Sequence, residues 1–210
     1  MVLPAPFGPM SPVTRPFSTS IAIGPDGNPV LAYLDDVTDA LMVAKCANAA
    51  CTGVATVTTV DDPANLLRFD TAVAVPADGL PIIAYLDYTA RTLKAAKCLN
   101  QACTGGATIS VVDDPSNNLC CDVGIAVGSD GLPVIAYRDE SAGSLKVARC
   151  ANASCTGVAT ITTVDDSSNS VGYELSIAIG ADGLPVISHR DITAGAVKVA
   201  KCANLACTGA

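Results

Sequence analysis

Residues 19–61 read TSIAIGPDGNPVLAYLDDVTDALMVAKCANAACTGVATVTTVD, and the pattern returns three more times at intervals of 52 residues. The clearest markers are the cysteines: Cys46 and Cys51 recur as Cys98 and Cys103, Cys150 and Cys155, and Cys202 and Cys207. Each pair is followed by Thr-Gly, and no insertion interrupts the spacing. A fixed period of this size marks one supersecondary unit stacked on copies of itself.

Each unit reads as a four-stranded antiparallel meander. First strands are expected at 19–23, 71–75, 123–127 and 175–179. They lead into Asp26-Gly27, Asp78-Gly79, Asp130-Gly131 and Asp182-Gly183. Asp-Gly between apolar runs predicts a type I′ hairpin. Second strands open at Pro29, Pro81, Pro133 and Pro185, where a proline is tolerated because it begins the strand. They close on Asp35, Asp87, Asp139 and Asp191. The third strand, 41–45, runs into the cysteine loop. The fourth, 55–60, alternates with Thr as a half-solvated edge strand does. Asp61-Asp62, Asp113-Asp114 and Asp165-Asp166 terminate the fourth strands, and a linker of about ten residues returns to the next first strand.

Second strands such as VLAYL and IIAYL are apolar on both faces, so both faces require cover. Four-stranded sheets packed face to face around an axis meet that demand, and the expected fold is all-β, a β-propeller. A β-solenoid has parallel strands and no need of hairpins, and stacked sandwiches need about seven strands per unit. The repeats span 18–69, 70–121, 122–173 and 174–210, after an irregular segment at 1–17. The fourth repeat stops after its cysteine loop, so its last blade is expected to be incomplete. Residues Val2 to Gly8 fall in the register of the absent strand, but Pro4 and Pro6 suit a strand poorly. The alternatives are a four-bladed ring with imperfect closure and, preferred, four blades of a larger propeller completed by blades from the same or another chain.

Half of the 210 residues are hydrophobic, mostly Ala, Val, Ile and Leu, with no Trp, so small and β-branched side chains must build the core. No apolar run approaches the roughly 20 residues that span a bilayer. A net charge of −8 argues against nucleic acid, which needs clustered Lys and Arg. A metal site is the functional reading of each C-x4-C pair, but zinc centres join two cysteine knuckles and these pairs sit a blade apart. Local disulfides, Cys46–Cys51, Cys98–Cys103, Cys150–Cys155 and Cys202–Cys207, are expected instead. They imply an oxidising compartment, extracellular or periplasmic, although residues 1–16 lack the features of a signal peptide. Cys120 and Cys121 stand outside the repeat and admit a vicinal disulfide, free thiols or a link elsewhere. Nothing beside them in the sequence would lower a thiol pKa.

Strand parity sorts the charges. The ends of second and fourth strands share one strongly acidic face, while Lys45, Lys97, Arg149 and Lys201, ending third strands, approach the other. Aspartates at strand ends commonly cap turns. The second-strand ends vary more: Tyr33-Leu34-Asp35, Tyr85-Leu86-Asp87, Tyr137-Arg138-Asp139 and His189-Arg190-Asp191. An aromatic or imidazole ring beside Arg and Asp could hold a sugar or a carboxylate. Tyr137, Arg138, Asp139, His189, Arg190 and Asp191 are therefore the candidate ligand-binding residues.

The segments SIAIGPDGNPVLAYLD, 20–35, and SIAIGADGLPVISHRD, 176–191, resemble the blade repeats of secreted bacterial propellers, in the broad sialidase-like and lectin-like group. That resemblance implies an extracellular propeller scaffold. Neither the S-x-D-x-G-x-T-W box of sialidases nor the D-x-N-G-D-G cation motif of integrin-type blades is present, so no functional residue carries over. The expectation is a binding module for carbohydrate or protein, or a scaffold, with no cofactor, no metal and no catalytic residue. Acidic side chains recur at the same strand ends in every repeat, as scaffolding requires, and Glu140 and Glu174, the only glutamates, read as members of non-equivalent loops. The alternative is a glycosidase-like hydrolase propeller whose catalytic residues lie partly in blades outside this chain.

Overall fold

The computed structural model describes residues 18–35, 37–53, 55–62, 67–114, 119–167 and 170–209. The segment 1–17, with Val2 to Gly8, lies outside them. Among these residues fifteen strands form four antiparallel sheets, the blades of a β-propeller. Blade 1 holds β1 (Thr19–Ile23), β2 (Pro29–Leu34), β3 (Leu41–Lys45) and β4 (Thr56–Asp61). Blade 2 holds β5 (Leu67–Ala74), β6 (Ile82–Asp87), β7 (Thr92–Cys98) and β8 (Ala107–Asp113). Blade 3 holds β9 (Leu119–Val127), β10 (Pro133–Asp139), β11 (Ser144–Arg149) and β12 (Thr160–Asp165). Blade 4 presents three strands, β13 (Tyr173–Ile179), β14 (Pro185–Asp191) and β15 (Ala196–Lys201). The first strand of every blade is innermost, and together they line an axial cavity of about 420 Å³.

Two local expectations need correction. The Asp-Gly turns are not type I′. Only the glycines Gly27, Gly79, Gly131 and Gly183 have positive φ, between 74° and 80°, and each N–H donates to the carbonyl three residues back at 2.9 Å. That is a type I turn with glycine at its last position. The aspartate of each turn accepts the N–H two residues on, as in Asp78 with Leu80 at 2.9 Å. The linkers are also shorter than expected, because β5, β9 and β13 begin two to four residues before the expected starts, each after a register shift against the second strand.

The core lies between blades. The forward face of one sheet, from its second and third strands, packs on the backward face of the next, from its first, second and third strands. Val30, Ala32, Leu41 and Val43 of blade 1 meet Val73, Ile83 and Ala96 of blade 2. Ile82, Ala84, Leu93 and Ala95 meet Val123, Ile135 and Ala148 in the same way, and Val134, Ala136, Leu145 and Val147 meet Leu175, Ile177 and Ile187. Alanine recurs at these seams because only small side chains let two pleated faces approach closely while branched neighbours fill the gaps. No comparable packing joins blade 4 to blade 1 among the described residues. There the exposure changes abruptly: Val197 is 78% and Ile21 60% exposed, whereas their counterparts Leu145 and Val73 are buried.

A polar latch crosses each seam. Tyr85 Oη donates to Asp61 Oδ2 at 2.6 Å and Tyr137 Oη to Asp113 Oδ2 at 2.5 Å, tying a second strand to the fourth strand of the blade before. Burial and the facing carboxylate push both phenols well above the usual tyrosine range. On the opposite face, Lys45, Lys97, Arg149 and Lys201 each pair with the aspartate of their own blade's Asp-Gly turn.

The four repeat cysteine pairs are disulfides. In each loop the second cysteine is left-handed, with φ of 52° to 59°. An asparagine two residues after the first cysteine holds that turn: Asn100 Oδ1 accepts the N–H groups of Ala102 at 3.2 Å and Thr104 at 3.0 Å. Cys121 is also disulfide-bonded, which removes the free-thiol reading for it.

Candidate functional site

One repeat position differs in kind from the rest. Ser18, Asp70, Asp122 and Glu174 are spaced by 52 residues and stand at the acidic-face end of the four innermost strands. Where blade 1 has a hydroxyl, blades 2, 3 and 4 carry carboxylates. The register shifts of β5, β9 and β13 fall across these three residues. Backbone irregularity concentrates there too: Glu174 has φ 48°, Cys121 beside Asp122 has φ 85°, and Gly172 has φ 86°. Bulges at strand ends re-aim side chains and are common next to functional sites. At Gly172 a side chain would also collide, since a Cβ would lie 3.3 Å from Leu145 Cα.

The three carboxylates are linked. Asp70 lines the axial cavity, and its carboxyl interacts with the side chains of Ser18 and Asp122. Asp122 Oδ1 accepts the backbone N–H of Glu174 at 2.9 Å. Glu174 Oε1 accepts from Arg190 Nη1 at 3.0 Å, and both side chains remain largely exposed. Burial, then the charges of Asp70 and Glu174, push the Asp122 carboxyl up to about 6, against smaller opposing effects of the Glu174 N–H and Arg138. Burial also raises Asp70. The mouth therefore holds a carboxyl whose hold on its proton is strengthened, near the solvent-exposed carboxylate of Glu174.

The wall below is small and polar. Ser20, Ala72, Gly124 and Ser176 occupy the next inward position of the four first strands, and all four line the cavity. A Cβ at Gly124 would come within 3.0 Å of Leu175 Cδ1, so close strand approach accounts for that glycine. Ser18 Oγ accepts from Thr71 N–H and Ser20 Oγ from Val73 N–H, each at 3.0 Å, which ties blade 1 to blade 2 along the axis.

The six residues singled out by the sequence divide. Arg138 is buried, lies 3.8 Å over the Tyr173 ring, and donates to Glu140 Oε2 at 2.7 Å and to the Val171 carbonyl. Its charge reaches Asp122. Arg190 borders the same mouth through Glu174. Tyr137 is engaged in its latch. Asp139 pairs with Lys146 at 2.6 Å and caps the Ala142 N–H, and Asp191 does the same with Lys198 at 2.8 Å and the Ala194 N–H. His189 replaces the latch tyrosine in blade 4: its Nδ1 accepts from Gly172 N–H at 3.3 Å and its Nε2 stands 3.4 Å from Asp165. Arg138 and Arg190 thus stand at the axial carboxylates, and the other four are engaged within and between blades. Glu174, expected in a loop, is part of β13. The 52-residue register connects Asp70, Asp122 and Glu174 in the sequence itself, but they precede the expected strand starts and read there as linker.

Sequence comparison matches the chain to no family model and to no curated protein. Solved structures match the fold at low identity. A protein of unknown function from Dyadobacter fermentans superposes with a TM-score of 0.65 at 10% identity, covering 91% of this chain and 61% of that one. An exo-β-1,3-galactanase from Phanerochaete chrysosporium with β-1,3-galactotriose gives 0.57 at 12%, covering 88% and 45%. A GH43 β-xylosidase/α-arabinofuranosidase from a compost metagenome, in complex with xylotriose, gives 0.54 at 12%, covering 87% and 68%. The chain spans 61% and 45% of the length of the first two, and at these identities the likeness is one of fold.

Proposed function

We propose that this chain acts on carbohydrate in an oxidising, extracellular setting, and that the axial mouth is a glycoside-hydrolysing centre. The observation that carries this reading is the run of carboxylates at one repeat position on three consecutive innermost strands. The strand-end aspartates 87, 139 and 191 each have a lysine and a turn N–H to satisfy; Asp70 instead lines the cavity, and Asp122 and Glu174 stand at the same end of the next two innermost strands. Glycoside hydrolysis needs one carboxyl that keeps its proton at working pH and one that is ionised. Asp122, raised to about 6 by burial and the charge of Asp70, suits the acid that protonates the leaving oxygen. Glu174, exposed and turned toward Arg190, suits the ionised partner acting on the sugar or on water. Arg138 steadies Asp122 from behind, and the serines of the wall offer hydroxyls to sugar oxygens. The solved propellers that carry galactotriose and xylotriose support the substrate class.

The test is reducing-sugar release from β-1,3-galactan, arabinoxylan and their oligosaccharides. Asp122→Asn and Glu174→Gln are each expected to lower release at least 100-fold with the circular dichroism spectrum unchanged. Release that survives both substitutions would remove the mouth from the chemistry. A second reading, a lectin-like module that binds without turnover, is favoured by the ion pair that engages Glu174 with Arg190. It predicts oligosaccharide binding by calorimetry, weakened by Arg138→Ala and Arg190→Ala, with no sugar released.

A further inference from the structure

The seam between blades 4 and 1 exposes the two halves of an interface that the molecule builds three times elsewhere. The backward face of blade 1 carries Ile21, Ile23, Leu31 and Tyr33, with Ala44 buried among them. Its counterpart in blade 2, Val73, Val75, Ile83, Tyr85 and Ala96, packs against blade 1. Ile21 and Ile23 are 60% and 61% exposed. The forward face of blade 4 exposes Val197 and Val199, at the positions where Leu145 and Val147 lie fully buried in blade 3.

Tyr33 adds a second, polar observation. The equivalent rings Tyr85 and Tyr137 donate to Asp61 and Asp113, each at the end of the preceding blade's fourth strand, and His189 stands beside Asp165 in the same way. Tyr33 has no hydrogen-bond partner among the described residues, and burial against its own sheet, then the charge of Asp35, raises its hydroxyl above the usual range. The face therefore asks for an apolar sheet that also brings an aspartate to one defined place.

We propose that the occupant of this seam is one further blade of the same 52-residue repeat, with a fourth strand ending in an aspartate opposite Tyr33. It continues the interface that already joins blades 1 to 2, 2 to 3 and 3 to 4, with Leu and Val from its third strand over Ile21 and Leu31. A second copy of the chain would bring its own blade 4, a three-stranded sheet among the described residues, and would leave the Tyr33 hydroxyl without its acceptor. The added first strand would also complete the wall of the axial cavity.

The experiment compares the chain as it is with one lengthened at its C-terminal end by repeating residues 159–210 and then 159–166. That addition gives blade 4 a fourth strand and supplies a full fifth blade. Amide exchange in β1 is expected to slow at least tenfold in the lengthened chain, with a higher melting temperature. Tyr33→Phe should lower that temperature in the lengthened chain and leave the original unchanged. Unchanged β1 exchange, or a Tyr33→Phe substitution silent in both, overturns the proposal. Should the lengthened chain not fold, the original decides alone. A monomer with fast β1 exchange, and with dye binding that Ile21→Asp diminishes, supports an open face. A dimer dissolved by Ile21→Asp assigns the face to a second copy and overturns it. A monomer with β1 already protected assigns it to residues 1–17 and overturns it equally.

Discussion

Leu145 and Val197 hold the same place in the repeat, yet one is sealed beneath blade 4 and the other is 78% exposed. Tyr137 and Tyr33 differ in the same sense, one latched to the preceding blade and the other without such a partner among the described residues. A blade of this protein is thus half of two interfaces rather than a unit with its own core, and its contribution depends on what stands beside it. Repeat proteins behave this way in general: stability is a sum of unit and nearest-neighbour terms. The interior blades collect two neighbour terms and the flanking blades one.

The largest effect separates the two environments directly. Leu145→Ala should cost about 2–5 kcal/mol in urea unfolding, because it leaves a cavity in a closed seam. Val197→Ala should stay within about 0.5 kcal/mol. Equal losses would mean that Val197 is covered in solution and that the contrast between the seams fails. Next comes the axial position, where blade 1 has Ser18 and blade 3 has Asp122. The Asp122 carboxyl is raised in the folded state, so its stabilising contribution is fully present below about pH 4 and is lost as pH rises through about 6. Asp122→Asn should therefore stabilise the protein by about 1–2 kcal/mol at pH 7–8, with partial exposure limiting the gain, and by almost nothing at pH 3.5. Thermal melts across that range check the sign.

The latches give a smaller contrast. Tyr137→Phe removes the donor to Asp113 and should cost about 1 kcal/mol, whereas Tyr33→Phe should cost nothing measurable. Comparable losses at both positions would give Tyr33 an acceptor that the fold does not account for. The smallest effect concerns His189, the imidazole that stands in for a tyrosine. Burial lowers its pKa, while Asp165, Lys198 and Asp191 around it pull in opposing directions. Its contribution is present above about pH 6.5 and lost as pH falls below that value. His189→Tyr should remove that acid-side loss, so that thermal melts of the variant fall less between pH 7 and pH 5, and give blade 4 the latch of blades 2 and 3.

The architecture was legible because the period is strict. Cys46–Cys51 and its copies mark one loop per blade, and the two-faced apolar second strands call for sheets packed face to face. The Asp-Gly signal found the hairpins and misjudged their turn, since in all four the turn starts two residues before the aspartate, at Gly24, Pro76, Gly128 and Gly180, and ends on the glycine as a type I turn. The axial carboxylates escaped for a different reason. Asp70, Asp122 and Glu174 each fall one residue before the expected strand start, in what reads as linker, and a bulge carries the strand back past that point. Alternation marks burial, and a residue turned toward a central mouth is not buried in that sense. Arg138 was singled out for its Tyr-Arg-Asp neighbourhood, yet it reaches Asp122 of the adjacent strand, a relation no linear spacing displays.

The sulfur bridges carry a consequence for how such a molecule is made. Eight cysteines can in principle be joined in on the order of a hundred ways. Here each finds its mate five residues away, across a turn that its own asparagine already bends. Oxidation in the newly made chain thus needs no long-distance search, and one repeat's pairing is indifferent to how many others precede it. Unequal recombination of the gene could insert or remove a whole unit without scrambling a single bridge. Lineages carrying this repeat are therefore free to vary the number of units far more readily than the chemistry inside each one.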